Sequence, residues 1–298
     1  ACVTHDGNGV YGGQFLACCI SLAFVEKDPL EIIKKALTFI PKDCEYARVV
    51  NSVIEFYKKS PENWRDCYQY LFENFGYDRY GGSCHIIPNA GIMILSLLYG
   101  KGEFDRTMNI INMCGWDTDC NAGNIGTILG VLVGPEGIDE EKWVRPLEDQ
   151  MICSSTIGYL NVQTISNHAL YLAKLGCKVM GWEMPEPYKT AASNWETCNF
   201  ELPYATHGLR VYTQQDAQAL KGFDYRLINT DEDAFEGKRC LKIVANSPVD
   251  GQLLYVYKRT YLEPAEFSDP RYDPAISPII YPGQTITAAV KIPEFAEL

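Results

Sequence analysis

The spacing of apolar residues changes once along this chain, and that change limits the available folds more than any other feature. Up to about residue 175 apolar residues recur every three or four positions, the period of a helix with a buried stripe. From about residue 209 they alternate, the period of a strand with one buried face. Between the two lies a stretch with Pro185, Pro187 and a mostly polar run at 189–198, which reads as a connecting loop. The expected fold class is therefore multi-domain α and β: an all-α part at 1–180, a linker at 181–200 and an antiparallel β-sandwich at 201–298. A chain of 298 residues can build two such cores.

The pattern predicts helices at 9–26, after Asp28-Pro29, and at 44–58, 62–74, 88–99, 102–113, 117–133 and 162–175, with Gly100 and Gly176 closing two of them. The first and the 88–99 helix are apolar nearly all round and read as core helices. Polar residues or shortness excludes either as a membrane span. Strands are expected at 209–213, 224–229, 239–246, 252–262 and 284–292. Tyr255, Tyr257 and Tyr261 alternate along one of them, which suits a carbohydrate platform and cross-strand packing equally well.

A net charge of −12 disfavours nucleic acid and anionic membranes as partners, and no basic cluster offsets it. The 12 cysteines include no CxxC pair and one adjacent pair, Cys18-Cys19. That scatter fits reduced, buried thiols in a cytoplasmic protein better than a disulfide framework or a zinc site.

One segment carries chemistry: CGWDTDCNAGNIGTILG, Cys114 to Gly130. Asp117 and Asp119 stand one residue apart where an apolar helix begins. Capping is the simpler account, because a helix N-terminus offers unpaired N–H groups and a positive dipole end. The alternative is a hard cation: Mg²⁺ takes oxygen ligands, keeps several waters and often uses one or two carboxylates. Ala122, Gly126, Gly130 and Gly134 recur every four residues, so one face of the helix is nearly bare and predicts close packing against another backbone.

Several segments together resemble the ADP-ribosylglycohydrolase family. GWDTDCNAGNIGTILG is similar to its C-terminal metal motif, roughly Gly-Gly-Asp-x-Asp-Thr leading into a small-residue helix. VTHDGNGVYGGQFLACCISLAF resembles its Thr-His segment, and CHIIPNAGIMILSLLYGKGEFDRTMNIINMCGWDTD the helix pair that delivers the motif. EKWVRPLED is similar to the Trp-containing stretch after it, and the region from FELPYATHGLRV to a domain appended on some members. The likeness covers about residues 1–175. It implies an all-helical fold around two Mg²⁺ ions and metal-assisted hydrolysis of the N- or O-glycosidic bond joining ADP-ribose, free or protein-linked, to its acceptor. Asp117, Asp119 and Cys120 would stand at the metal. Cys120 departs from the family's Thr or Ser, and a thiol is a poor partner for Mg²⁺, so either water fills that position, Asn121 helps, or the site is altered. The family's earlier Thr-Asp-Asp segment is not visible. The resemblance thus implies that further ligands and the general acid or base lie upstream, and that the chain alone hydrolyses poorly.

His5, Asp6 and Gly9, in the loop opening onto the first helix, would receive a diphosphate at the helix N-terminus. Trp116 would stack a base or simply pack. His85 reads as structural, His168 and His207 have no evident partner, and a Cys84-His85 nucleophilic pair is disfavoured because sequence neighbours seldom meet. The alternative function is a non-catalytic protein that binds nucleotide or glycan on the helical fold without a complete metal site.

Overall fold

In the computed structural model, residues 2–153, 157–194, 196–213, 224–246, 253–266 and 276–292 are described. The chain divides by internal contact into two compact units, Ala1–Asp139 and Glu140–Leu298. The change of period at 181–200 falls inside the second unit.

The first unit consists of α1 (Gly7–Ala23), α2 (Pro29–Ala36), α3 (Glu45–Lys59), α4 (Trp64–Phe75), α5 (Ile86–Gly100), α6 (Phe104–Met113) and α7 (Thr118–Val133). Helix starts are set by local side chains. The Asp28 carboxylate accepts the Leu30 amide at 2.8 Å with Pro29 at the first helical position, and Asn63 accepts the Arg65 amide. At α3 a thiol takes this role, with Cys44 Sγ accepting the Ala47 amide. His85 caps α5 through Nδ1 and stacks on Tyr80, which makes it the structural histidine the sequence suggests.

Helix α5 is the axis of this unit. Every residue after Ile86 is buried, and the helix touches α1, α2, α3, α4, α6 and α7. A helix apolar on all sides needs neighbours on all sides, and each fully buried Ile or Leu contributes about 1.5–3 kcal/mol. Two glycines permit the close approaches. A Cβ on Gly91 would fall 2.8 Å from Leu71 Cδ2, and one on Gly100 would fall within the Thr107 hydroxyl of α6. Gly100 is thus the last residue of α5 for a packing reason, while left-handed Lys101 forms the cap.

Three sequence expectations need correction. Helix α1 is buried only along Gly12, Phe15, Cys19 and Ala23, because the helices it touches cover one side of it. The small-residue stripe of α7 does not hold a second backbone. A Cβ at Gly130 would meet nothing within 4 Å, one at Gly126 only the Met108 side chain, at 3.7 Å, and one at Gly134 only the Glu136 carboxylate, at 3.0 Å. The last predicted helix, α8 (Ile165–Met180), ends at left-handed Gly181, and Gly176 lies in its interior.

The second unit holds α8 with α9 (Tyr188–Ala191) and the strands β1 (Gln150–Ile152), β2 (Val162–Thr164), β3 (Leu209–Thr213), β4 (Asp224–Thr230), β5 (Cys240–Asn246) and β6 (Leu254–Lys258). Among the described residues the strands form three separate two-stranded antiparallel ladders: β1 with β2, β3 with β6 and β4 with β5. These ladders do not show the expected antiparallel β-sandwich. Residues 284–292 alternate in sequence yet have no strand partner among the described residues, and Gln252 of the expected fourth strand lies outside them. Alternation reports one-sided burial; a sandwich also requires two sheets to stack, which the pattern does not encode.

A buried carboxylate knots this unit together. Asp149, left-handed at φ 50°, accepts the Ser166 amide (2.8 Å) and hydroxyl (2.7 Å) and the Thr206 (3.1 Å) and His207 (2.7 Å) amides. Three segments distant in sequence meet on one side chain. No helix among the described residues is long and apolar enough to cross a membrane.

Candidate metal centre

Helix α7 begins without the cap its sequence offers. Asp117 occupies the N-cap position, but its backbone is left-handed (φ 42°) and its side chain makes no cap hydrogen bond. The simpler reading of the motif therefore fails at the residue that should carry it. The Asp117 carboxylate instead accepts the Asn89 amide N–H at 2.6 Å. Asn89 is, with Ser96, one of two buried polar residues in mostly apolar α5; it is 7% exposed, and its oxygen accepts the Tyr77 hydroxyl. A chain Tyr77–Asn89–Asp117 thus runs from the core to the motif and fixes the carboxylate from below.

Asp119 lies in the first turn of α7 and Cys120 next to it. One ligand atom from each of Asp117, Asp119 and Cys120 can be chosen so that all three lie within 4.8 Å of one another, the one such group able to hold a metal ion among the described residues. Asp117 is half-buried and the other two are exposed. Both carboxylates also face thiols. Burial, and after it the charges of Asp117 and Asp119, push the Cys84 and Cys120 thiols above their ordinary range.

A cavity of about 390 Å³ opens beside the group, lined by His5, Gly9, Cys84, Asn89, Cys120 and Asn121 among others. His5 is brought there by the turn before α1, with Nδ1 2.7 Å from the Thr4 hydroxyl and its ring folded over Gly9. A Cβ at Gly9 would fall 3.1 Å from His5 Cβ, so glycine there leaves room for the ring. Asn121 is 1% exposed, and its amide donates to the Trp116 carbonyl at 2.8 Å, which closes the turn that presents Asp117 and Asp119.

Of the substrate-side residues expected from sequence, His5, Gly9 and Asn121 meet at this cavity. Asp6 does not line it; it is exposed at the N-cap of α1, where its carbonyl accepts the Gly9 amide at 3.0 Å. Trp116 is packed among Tyr68, Phe72 and Tyr77 with ring centroids 5.1–6.2 Å away, so its surroundings are those of a core residue. In the second unit Tyr255 and Tyr257 lie opposite Tyr212 and Arg210 across the β6–β3 ladder, and Tyr261 follows the strand end. Sequence reasoning missed Asn89, Tyr77 and Cys84. The signal for Asn89 was available: an amide inside PNAGIMILSLLY is costly to bury unless it has partners.

Among the described residues the donor set could hold a divalent cation. Two carboxylates held at a helix start would suit Mg²⁺, an ion that uses few protein ligands and otherwise keeps water. A thiol supplies soft sulfur, so Cys120 does not fit that ion. With Asp117 and Asp119 on one side and a half-enclosed cavity on the other, the arrangement can hold a cation where a diol or phosphate can reach it.

A family model described as ADP-ribosylglycohydrolase matches residues 1–175. No curated protein and no solved structure matches the chain.

Proposed function

Because this chain belongs to the ADP-ribosylglycohydrolase family, we propose that it is a hydrolase whose Asp117 and Asp119 hold a divalent cation for cleavage of an ADP-ribosyl bond. The observation that carries this reading is the Asp117 carboxylate: it stands at a helix start, declines the capping role, and is held by Asn89 beside Asp119. A buried donor chain that fixes one carboxylate next to another, with no cationic side chain between them, leaves a charge to be balanced.

The cation in this reading is Mg²⁺, which supplies Lewis-acid polarisation and orients hydroxyl groups at the ribose. The protein's own groups do the rest. Asn89 keeps the Asp117 oxygens in one orientation. Asn121 holds the turn through Trp116. His5 offers a ring at the cavity edge for a phosphate or hydroxyl, and Asn124 lines the same wall. Hydrolysis adds water across the bond: the hydroxyl goes to the anomeric carbon, and the proton goes to the departing nitrogen or oxygen.

The test is release of ADP-ribose from an ADP-ribosylated peptide by the protein containing this chain, with Mg²⁺ and with chelator. Mg²⁺-dependent release lost in Asp117→Asn and Asp119→Asn is the expected result. Release unaffected by both variants would overturn the assignment.

A further inference from the structure

Helix α8 buries one side only. Its buried residues are Ser166 and Leu170, and it packs against β2 and α9, where Leu170 joins Ala191 and Ala192 and Lys174 donates to the Ala192 carbonyl at 3.1 Å. The opposite side carries Ile165, His168, Leu172, Leu175 and Val179. Trp182 follows, held to the last turn by its amide on the Cys177 carbonyl at 2.9 Å. All but His168 are exposed, Leu172 by 55%, Trp182 by 67% and Val179 by 83%. Their spacing alternates between three and four residues, the a/d seam of a coiled coil, and this seam lies away from the helix's own core. Gly176 lies inside the helix beside the seam, where glycine weakens it. A Cβ there would meet nothing within 4 Å, so no packing among the described residues accounts for it.

We propose that this face is the contact between two copies of the chain, which pair α8 with α8 antiparallel. Complementarity selects a second copy as the occupant. In the register centred on the seam, Leu172 meets the partner's Leu175, Val179 the partner's His168 and Ile165 the partner's Trp182. Each contact then occurs twice, as a two-fold axis requires. The flanking positions fit the same register. Gly176 comes opposite the partner's Ala169, so the helices can approach closely, and Lys178 comes opposite the partner's Tyr171 rather than a second lysine. Charge points the same way. Two copies of a chain with net charge −12 repel each other, but α8 contains no Asp or Glu, so the seam brings no carboxylates face to face. Area sets the strength. Two and a half heptads offer on the order of 500 Å² per copy, short of the ~800 Å² per partner of a standard interface, so the dimer is weak and depends on concentration.

Sedimentation equilibrium of the full chain from about 1 to about 200 µM is the test. The 33.5 kDa monomer should give way to a dimer with a Kd on the order of 10 µM. Leu172→Glu and Leu175→Lys each set a charge against a leucine of the other copy, and each should weaken the dimer at least about tenfold. Mixed in equal amounts, the two variants should associate again. The antiparallel register sets the introduced carboxylate against the introduced ammonium, while the other half of the seam keeps its Leu–Leu pair. A chain that stays monomeric across the range would overturn the proposal and leave the face to another occupant. Undiminished dimer in both variants would place the contact elsewhere, and loss in each without recovery in the mixture would refute the antiparallel pairing. Thermal unfolding of each variant separates lost association from lost folding. Val179→Asn, at the most exposed position of the seam, supplies the same readout if either charged variant fails to fold.

Discussion

Asn89→Ala separates a positioned carboxylate from a merely acidic helix start. Asn89 donates to Asp117 at 2.6 Å and accepts from Tyr77 while 7% exposed. A hydrogen bond to a charged group contributes about 1.5–3 kcal/mol, and a hydroxyl left without its acceptor costs about 1–3 kcal/mol when buried, the lower end applying to half-buried Tyr77. Asp117 is only half-buried, so the lower half of the first range applies, and the variant should lose about 3 kcal/mol in denaturant unfolding. Tyr77→Phe keeps the Asp117 contact and strands only the Asn89 side-chain oxygen, so it should lose about 1–2 kcal/mol. The functional effect is the sharper readout. A group that orients a metal ligand is worth about 10–100-fold in metal affinity, so Mg²⁺ titration calorimetry should show a loss of that size in Asn89→Ala. Stability that falls while Mg²⁺ affinity stays unchanged would mean that Asn89 serves the core alone, and the positioning argument would be wrong.

The remaining predictions use the same structure. Gly100→Ala should destabilise by about 1–3 kcal/mol or more, because its Cβ lands on Thr107, whereas Gly123→Ala should stabilise α7 by about 0.5–1 kcal/mol; chemical denaturation of both checks the packing assigned to them. Burial holds the His207 imidazole down at about 4 from an ordinary 6.5, against a smaller upward pull from Asp149. The unfolded chain therefore takes up the proton first, so this contribution is complete above pH 6.5 and is lost as pH falls toward 4, a change of roughly 3 kcal/mol. Melting temperature against pH should fall less steeply in His207→Gln, and equal slopes would refute the assignment. Asp149→Asn turns an acceptor-only side chain into one that also brings donors to a place already filled by N–H and O–H donors, and it should lose about 1–3 kcal/mol in the unfolding of the second unit.

The helical half was legible because its signal is periodic and local. Asp28-Pro29 gave the start of α2, and the apolar run at 88–99 gave the central helix, whose burial on every side follows from having no polar face. The β half was legible only as strands. β3, β4 and β5 lie close to their expected ranges, but ladder partners depend on long-range pairing, and alternation at 284–292 was no evidence of a partner. The glycines of α7 misled for a related reason: a four-residue repeat says that a face is bare, not what covers it. At the site, the paired aspartates announced themselves by charge in an apolar setting. Asn89 and Cys84 come from another element, and their convergence on Asp117 arises from the packing of α5 against α7. The β1–β2 ladder, three residues per strand, is too short to leave any periodic trace.

The most direct test of the central claim is the stoichiometry of Mg²⁺ binding to the chain by calorimetry, beside the isosteric variant Asp117→Asn/Asp119→Asn. Two carboxylates oriented at one helix start predict a single Mg²⁺ per chain that disappears in the variant while thermal unfolding shows the fold retained. Undiminished Mg²⁺ binding in the variant would contradict the claim that these two side chains hold the cation.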